Sequence, residues 1–247
     1  MKDNFSTQAD LYAQYRPTYP AAFYEYINGL VKNRTFAWDC GTGNGQVASV
    51  LADSFEQVFA TDISAKQLAN AGQKPNITYS LQAAEQTDFP DAKFDLIVVA
   101  QAIHWFDFEK FYREGNRTLK DDGLFVVAGY GLMNVNPAID VLINRFYYEI
   151  VGPYWDTERH YIDEGYKTIP FPLKEIPSPE FQISTNWTFG HLLGYLNTWS
   201  AVQHYIKDKK ENPVDRIEGE LRLAWGNAAL LQVHFPVLLR VGQKADD

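Results

Sequence analysis

The stretch FAWDCGTGNGQVASVLADSFEQVFATD, Phe36 to Asp62, carries strand-like and helix-like patterning on either side of three closely spaced glycines. Apolar runs of strand length at 35–40 and 58–61 flank a segment in which Val47, Val50, Leu51 and Phe55 recur at helical spacing. This predicts a strand, a glycine turn, a helix and a second strand. Parallel strands joined in this way need a crossover, which is almost always right-handed, so the turn and Asp62 belong at the carboxyl edge of one sheet. Ligands of open α/β sheets bind along that edge.

Glycines at 41, 43 and 45 let the chain bend sharply and leave its backbone open to a ligand. Asp62, at the tip of the next strand, is placed to accept hydrogen bonds from both hydroxyls of a ribose, so a nucleoside is expected. The dinucleotide fingerprint GxGxxG needs its last glycine where this chain has Gln46. Asp39, just before the turn, would repel a pyrophosphate but suits a ligand carrying an amine and a sulfonium. Spacing and charge together predict S-adenosyl-L-methionine; the plain alternative is an ordinary glycine-rich turn.

DCGTGNG followed by TDIS resembles the cofactor-binding core of class I S-adenosylmethionine-dependent methyltransferases, over about residues 10–130 and more weakly to the C-terminus. AQAIHWF at 100–106, TWSA at 198–201 and Trp225-Gly226 resemble the small-molecule branch that includes trans-aconitate methyltransferases. The resemblance implies a doubly wound, mostly parallel, seven-stranded Rossmann-like α/β sheet with a helical, aromatic-rich cap. It implies S-adenosylmethionine as cofactor, S-adenosyl-L-homocysteine as product, and no metal. In YRPTYP, Tyr15 and Arg16 would close the cofactor site, with the guanidinium near the methionine carboxylate; the alternative is a surface linker. The turn would contribute Asp39, Gly41, Thr42, Gly43 and Gly45, and the next strand end Asp62 and Ile63. Ala84 and Glu85 would lie beside the adenine, unless Glu85 is merely a solvated acid. Gln101 would meet the methionine part.

Outward from this unit, Ser64 and Gln67 read as a capping box that starts a helix immediately after Asp62. A third strand is expected at 77–81, and FDLIVVA at 94–100 reads as a central strand buried on both faces. Asp107 is expected to cap a helix presenting Phe108, Phe111, Tyr112 and Leu119. Asp121, Asp122 and Gly123 read as a turn into a fifth strand at 124–128. A helix carrying Ile139, Leu142, Ile143, Phe146, Tyr147 and Ile150 follows. Strands are expected at 181–189 and 234–241, and a helix after Asn212-Pro213. The chain reads as one domain, 1–247, with an N-terminal helical lid at 7–32 that Pro17 and Pro20 interrupt, a cofactor core at 33–131, and cap elements at 132–178 and 190–226.

Methyl transfer from a sulfonium is an in-line displacement with a good leaving group, so the enzyme has mainly to align the acceptor and exclude water. A carboxylate acceptor is already ionised and needs no base, whereas a phenol or amine benefits from one. His104 is the candidate catalytic residue, as base or as donor to an acceptor oxygen; otherwise it only shapes the pocket. Trp105 offers an apolar wall or a ring face for the sulfonium. Trp199 and Tyr205, with His204, either face the substrate or pack as core aromatics of the cap. One credible base favours transfer to a small-molecule carboxylate oxygen. The alternatives are O-, N- or C-methylation of a phenol, amine or other metabolite, and a non-catalytic cofactor-binding module. The glycine spacing and Asp39 oppose a nicotinamide oxidoreductase. QAIHWF stands where methylases of nucleic-acid base amines commonly carry Asn- or Asp-Pro-Pro-Tyr. Gln101 and Ala128 stand where a metal-dependent catechol methyltransferase needs carboxylates.

The chain has 247 residues, 46% of them hydrophobic, enough for a substantial core. Its net charge of −9 opposes nucleic-acid partners and anionic membranes, since both are bound through Lys and Arg. Cys40 is the only cysteine, which excludes an internal disulfide and a cysteine zinc cluster. No apolar run reaches the roughly 18 residues of a membrane span, and MKDNFSTQAD does not resemble a signal peptide, so a cytoplasmic monomer or homodimer is expected.

Overall fold

A computed structural model describes residues 14–244. Residues 7–13 of the expected lid lie outside the described residues. The first helix that follows runs Ala21–Leu30, starts after Pro20, and buries Phe23, Tyr24 and Ile27.

The strands are β1 (Phe36–Cys40), β2 (Gln57–Asp62), β3 (Ile77–Leu81), β4 (Phe94–Ala100), β5 (Leu119–Tyr130), β6 (Lys174–Ile176), β7 (Gln182–Trp187) and β8 (Leu231–Gln243). Their order along the sheet is β3-β2-β1-β4-β5-β8-β6, with β7 also paired to β8. Seven strands form the continuous path, the number that the resemblance implies, but its last member, β6, lies where no strand is expected, and the strand expected at 181–189 is β7, an eighth beside the path. The pairs among β1 to β5 are parallel, and those made by β8 are antiparallel. The order reverses between β1 and β4, which opens a crevice at their carboxyl ends.

Burial follows the two-residue period of a strand. Leu96 and Val98 of β4, with Leu124 and Val126 of β5, enter one apolar cluster, while Ile97, Val99, Phe125 and Val127 enter the other. The first cluster holds the helices Ala21–Leu30, Gln46–Leu51 and Phe189–Asn197, and the second takes Phe111 and Tyr112 of the helix Phe108–Thr118. Both faces of the sheet are thus covered, as a parallel sheet requires. Val50 departs from the expected pattern: it lies exposed, while Val47, Leu51 and Phe55 are buried.

Several expectations change in detail. Leu119, expected on the helix that Asp107 caps, lies beyond its end at Thr118 and opens β5. Asp121-Asp122-Gly123 is a bulge inside β5, which begins at Leu119. Phe94 pairs with Leu119 and Leu96 with Leu124, so residues 120–123 stand opposite Asp95 alone. The Lys120 Nζ reaches Asp95 Oδ1 at 2.6 Å, and Asp95 Oδ2 accepts from the backbone of Thr35 and Phe36. The helix expected across 139–150 is α-helical only over Pro137–Arg145, capped by Asn136, and finishes as a π-helical turn, Phe146–Ile150. The strand expected at 181–189 ends at Trp187, because Thr188 caps the next helix. Upstream, Pro177 and Pro179 separate β6 from β7, since proline cannot donate to the ladder. No helix among the described residues is long and apolar enough to cross a membrane.

Candidate functional site

The turn after β1 is built by backbone hydrogen bonds. The Gly41 and Thr42 amides both donate to Thr61 O at 2.9 Å, tying the turn to the end of β2. Asp62 completes the tie: its Oδ2 accepts from Gly43 N at 2.9 Å and its Oδ1 from Ser64 N at 2.8 Å. Gly41 has φ +69°, and a Cβ there would stand 2.7 Å from the Ala102 Cβ. At Gly43, φ +57°, a Cβ would meet nothing within 4 Å, so the backbone there is open. Gly45 serves packing instead: a side chain would strike the Tyr79 ring.

Asp39 lies beneath this turn, 1% exposed. Its Oδ2 accepts from Thr42 Oγ1 at 2.5 Å and Ala48 N at 2.9 Å, which anchors the helix Gln46–Leu51. Burial pushes its carboxyl up to about 7 against the pull of these donors, and the charge of Asp62 adds to the rise. An anion so placed gains from a cation in the adjoining space.

That space is a cavity of about 900 Å³ at the carboxyl edge of the sheet. Asp39, Gly41, Thr42 and Gly43 form one side, and Asp62 and Ile63 another. Arg16, Gln101 and Trp105 complete the end that faces the cap. Arg16 donates to Tyr130 OH at 3.3 Å and Thr198 O at 3.2 Å, so the N-terminal segment is bound to both the sheet and the cap. Gln101 has φ +55° and donates from Nε2 to Tyr130 O at 3.1 Å, a strained conformation at the end of β4.

Gln67 departs from the expected capping box. Ser64 does accept from Gln67 N, at 3.3 Å, but Asp62 occupies the Ser64 amide that the glutamine side chain would otherwise take. Gln67 consequently lines the cavity, 3% exposed, with its Oε1 lacking a hydrogen-bond partner. An open glycine backbone, an orphaned buried acceptor and a buried carboxylate are a donor set that fits a nucleoside bearing positive charge.

A second cavity, of about 460 Å³, adjoins the first and shares Arg16, Gln101 and Trp105 with it. His104, Trp155, Arg159 and Trp199 line the remainder, with Asp156 beside them. His104 is buried, and its Nδ1 lies 3.1 Å from Tyr166 OH. Burial and the nearby Arg159 charge push the imidazole down to about 3, so it stays neutral throughout the physiological range.

The two cavities gather most, but not all, of the residues that the sequence singles out. Tyr15 lines neither; it packs edge-on against His191, with ring centroids 5.1 Å apart. Ala84 is buried outside them, and Glu85 Oε1 accepts from Asp107 N at 3.1 Å, which turns it toward the helix Phe108–Thr118. Tyr205 donates to Glu211 at 2.9 Å and accepts from Arg216, away from both cavities. Trp199 lines the second cavity while also packing in the cap core. Arg159 and Gln67 are the contributors that sequence reasoning passes over. For Arg159 the available signal is an arginine inside the aromatic-dense WDTERHY, 155–161; for Gln67 the helix-start pattern accounts for the residue and hides its second role. Among the described residues no cluster of three His, Cys, Asp or Glu side chains could hold a metal ion.

Comparison with known proteins agrees with this geometry. Residues 38–127 match the family described as methyltransferase domain. A candidate methyltransferase of Dictyostelium discoideum is 33% identical over 250 residues, covering 98% of this chain and 95% of that protein. A candidate S-adenosylmethionine-dependent methyltransferase of Mycobacterium tuberculosis is 30% identical over 111 residues, 44% of this chain and 40% of its own length. The solved structure of a candidate type II methyltransferase from Anaeromyxobacter dehalogenans superposes with a TM-score of 0.86 at 37% identity, covering 92% of this chain and 97% of that one.

Proposed function

The chain belongs to the S-adenosylmethionine-dependent methyltransferases, and on that premise we propose that it transfers the methyl group to a carboxylate oxygen of a small molecule. This is the acceptor class that the AQAIHWF segment resembles. The larger cavity takes the cofactor. Asp62, whose two carboxylate oxygens accept from the Gly43 and Ser64 amides, accepts also from the ribose hydroxyls. Asp39 faces the cationic part, and Gln67 accepts a hydrogen bond from the nucleoside.

When bound, S-adenosylmethionine supplies an electrophilic methyl group on a sulfonium, and the acceptor oxygen takes it in line with release of S-adenosylhomocysteine. The protein has to hold the acceptor in the second cavity, next to Gln101 and Trp105, and keep water out. The observation that carries the acceptor assignment is the state of His104. An imidazole held near 3 is unprotonated but is too weak a base to take a proton from a phenol or an ammonium at neutral pH. It can still hydrogen-bond to an acceptor, which suits one that arrives ionised. A purely cofactor-binding role would leave the second cavity without a use.

The test is transfer from methyl-labelled S-adenosylmethionine to separate pools of small carboxylic acids, phenols and amines, followed by mild base. Label incorporated from the acid pool and released by base is the expected result. Base-stable label from the phenol or amine pool would discard the carboxylate assignment while leaving methyl transfer intact.

A further inference from the structure

Arg159 differs from the other partly buried arginines in what its guanidinium does. Arg240 spends its terminal nitrogens on Tyr166 O, Ile169 O and Glu175, and Arg117 spends its own on Phe89 O, Asp91 and Glu114. Arg159 uses only Nε, which donates to Tyr147 OH at 2.6 Å and lies 3.7 Å from Asp163 Oδ1. Its two Nη atoms make no hydrogen bond to any described residue, although the side chain is only 19% exposed and lines the second cavity.

The guanidinium is also held in place from behind. Its carbon lies 4.7 Å from the Trp155 ring centroid and 5.3 Å from that of Tyr147. Tyr147 is itself fixed, since its hydroxyl donates to Asp163 Oδ1 at 2.5 Å. It sits in the π-helical turn Phe146–Ile150, a distortion that recurs at functional sites. A planar fork that is braced, only partly exposed and left with both Nη nitrogens free of any described residue matches the two oxygens of a carboxylate. The walls around it are flat: Trp105, Trp155 and Trp199 line the same cavity, the last two with ring centroids 5.5 Å apart.

We propose that Arg159 is the anchor for the acceptor's carboxylate, and that the three indoles select acids carrying that carboxylate on a flat, unsaturated or aromatic body. The inference rests on the reading that the second cavity receives the acceptor. Two parallel N–H bonds leave a lone pair on each carboxylate oxygen, so anchoring and attack are compatible. One oxygen forms the bond to the methyl carbon, the carbon–sulfur bond breaks with its electron pair staying on sulfur, and no proton moves.

The experiment compares wild type, Arg159→Gln, Arg159→Lys and Tyr147→Phe, using cinnamate and the saturated 3-cyclohexylpropanoate as probes. Binding of each acid to S-adenosylhomocysteine-loaded protein is titrated calorimetrically, and KM and kcat for ester formation are measured beside it. Arg159→Gln is expected to weaken cinnamate binding and raise its KM about 10- to 100-fold, with S-adenosylhomocysteine affinity unchanged. Arg159→Lys keeps the charge but not the fork and is expected to recover only part of the loss. Tyr147→Phe, which keeps the arginine and unties it, should raise KM more than it lowers kcat. Wild type should prefer cinnamate. Unchanged cinnamate affinity in Arg159→Gln and Arg159→Lys would overturn the anchor even if esters still form, leaving the carboxylate reading standing. Arginine-dependent acid binding without ester formation would keep the anchor and remove that reading. A wild-type preference for the saturated acid would overturn the selection for flat bodies.

Discussion

Asp39 is where one ionisation should govern cofactor affinity. Its carboxyl, pushed up to about 7 by burial, holds a proton over much of the mildly acidic range. A sulfonium or ammonium nearby favours the ionised form and pulls the value back down. Cofactor affinity should therefore rise with pH up to about 7 and level off above it, falling by at most ~10-fold per unit on the acid side. Calorimetric titration of S-adenosylmethionine between pH 5.5 and 8.5 measures this, and Asp39→Asn should be weaker at pH 8 and nearly flat across the range. A sloping profile in Asp39→Asn would assign the titration to another group. Without ligand the same group acts on stability. The folded carboxyl is raised above its unfolded value of 3.8, so the folded state binds more protons between the two values. Stability consequently declines as pH rises through that window, and Asp39→Asn should remove this part of the decline.

At the scale of elements, the glycine turn separates two functions that its spacing alone presents as one. Gly41 permits the segment after β4 to approach, because a Cβ there would lie 2.7 Å from Ala102 and 3.2 Å from Phe106. Gly43 leaves open backbone beside the cavity. Gly41→Ala combines left-handed backbone with a clash and should cost about 2–4 kcal/mol of stability. Gly43→Ala bears the backbone strain alone, about 1 kcal/mol, yet places a methyl group beside the cofactor. Denaturant midpoints and S-adenosylmethionine dissociation constants, measured on both variants, should rank them in opposite orders. Equal stability losses would mean that the contact with Ala102 relaxes freely. The βαβ unit was legible because every feature it needs is local: apolar runs of strand length, a turn that only glycine makes without strain, and an acid at the next strand tip. The β5 bulge was not, because it depends on Asp95 meeting Lys120, a contact between strands. Likewise the hydrogen bond from the Asp107 amide to Glu85 Oε1 joins residues far apart in sequence and leaves no local signature. Arg159 enters the site only through the folding of the cap, where the π-helical turn brings Tyr147 against it.

For the molecule as a whole, the question is whether the cap folds as part of the sheet or beside it. One apolar cluster answers in favour of unity: it runs from Phe23 and Ile27 of the first described helix, through Leu96 and Val126 on one sheet face, to Phe146, Trp199 and Trp225 in the cap. Trp199 is the densest point of the cap part, with ring contacts to Phe146, Tyr147, Trp155 and Tyr195 at 5.5–5.9 Å between centroids. Replacing it with alanine should cost about 3–5 kcal/mol, a large share of the roughly 5–15 kcal/mol that such chains possess. If the cluster is one cooperative unit, that loss falls on the entire chain. Far-ultraviolet circular dichroism, which follows the whole backbone, and tryptophan fluorescence, which includes the indoles of the cap, should then give coincident transitions at a lower denaturant concentration. A cap that melts alone would split them, with fluorescence changing first while most of the backbone signal persists. The outcome also bears on catalysis, since the second cavity is closed on one side by the cap and on the other by the end of β4. A single transition would mean that the acceptor cavity exists whenever the cofactor cavity does; a split would mean that the chain can hold its cofactor with the acceptor side open.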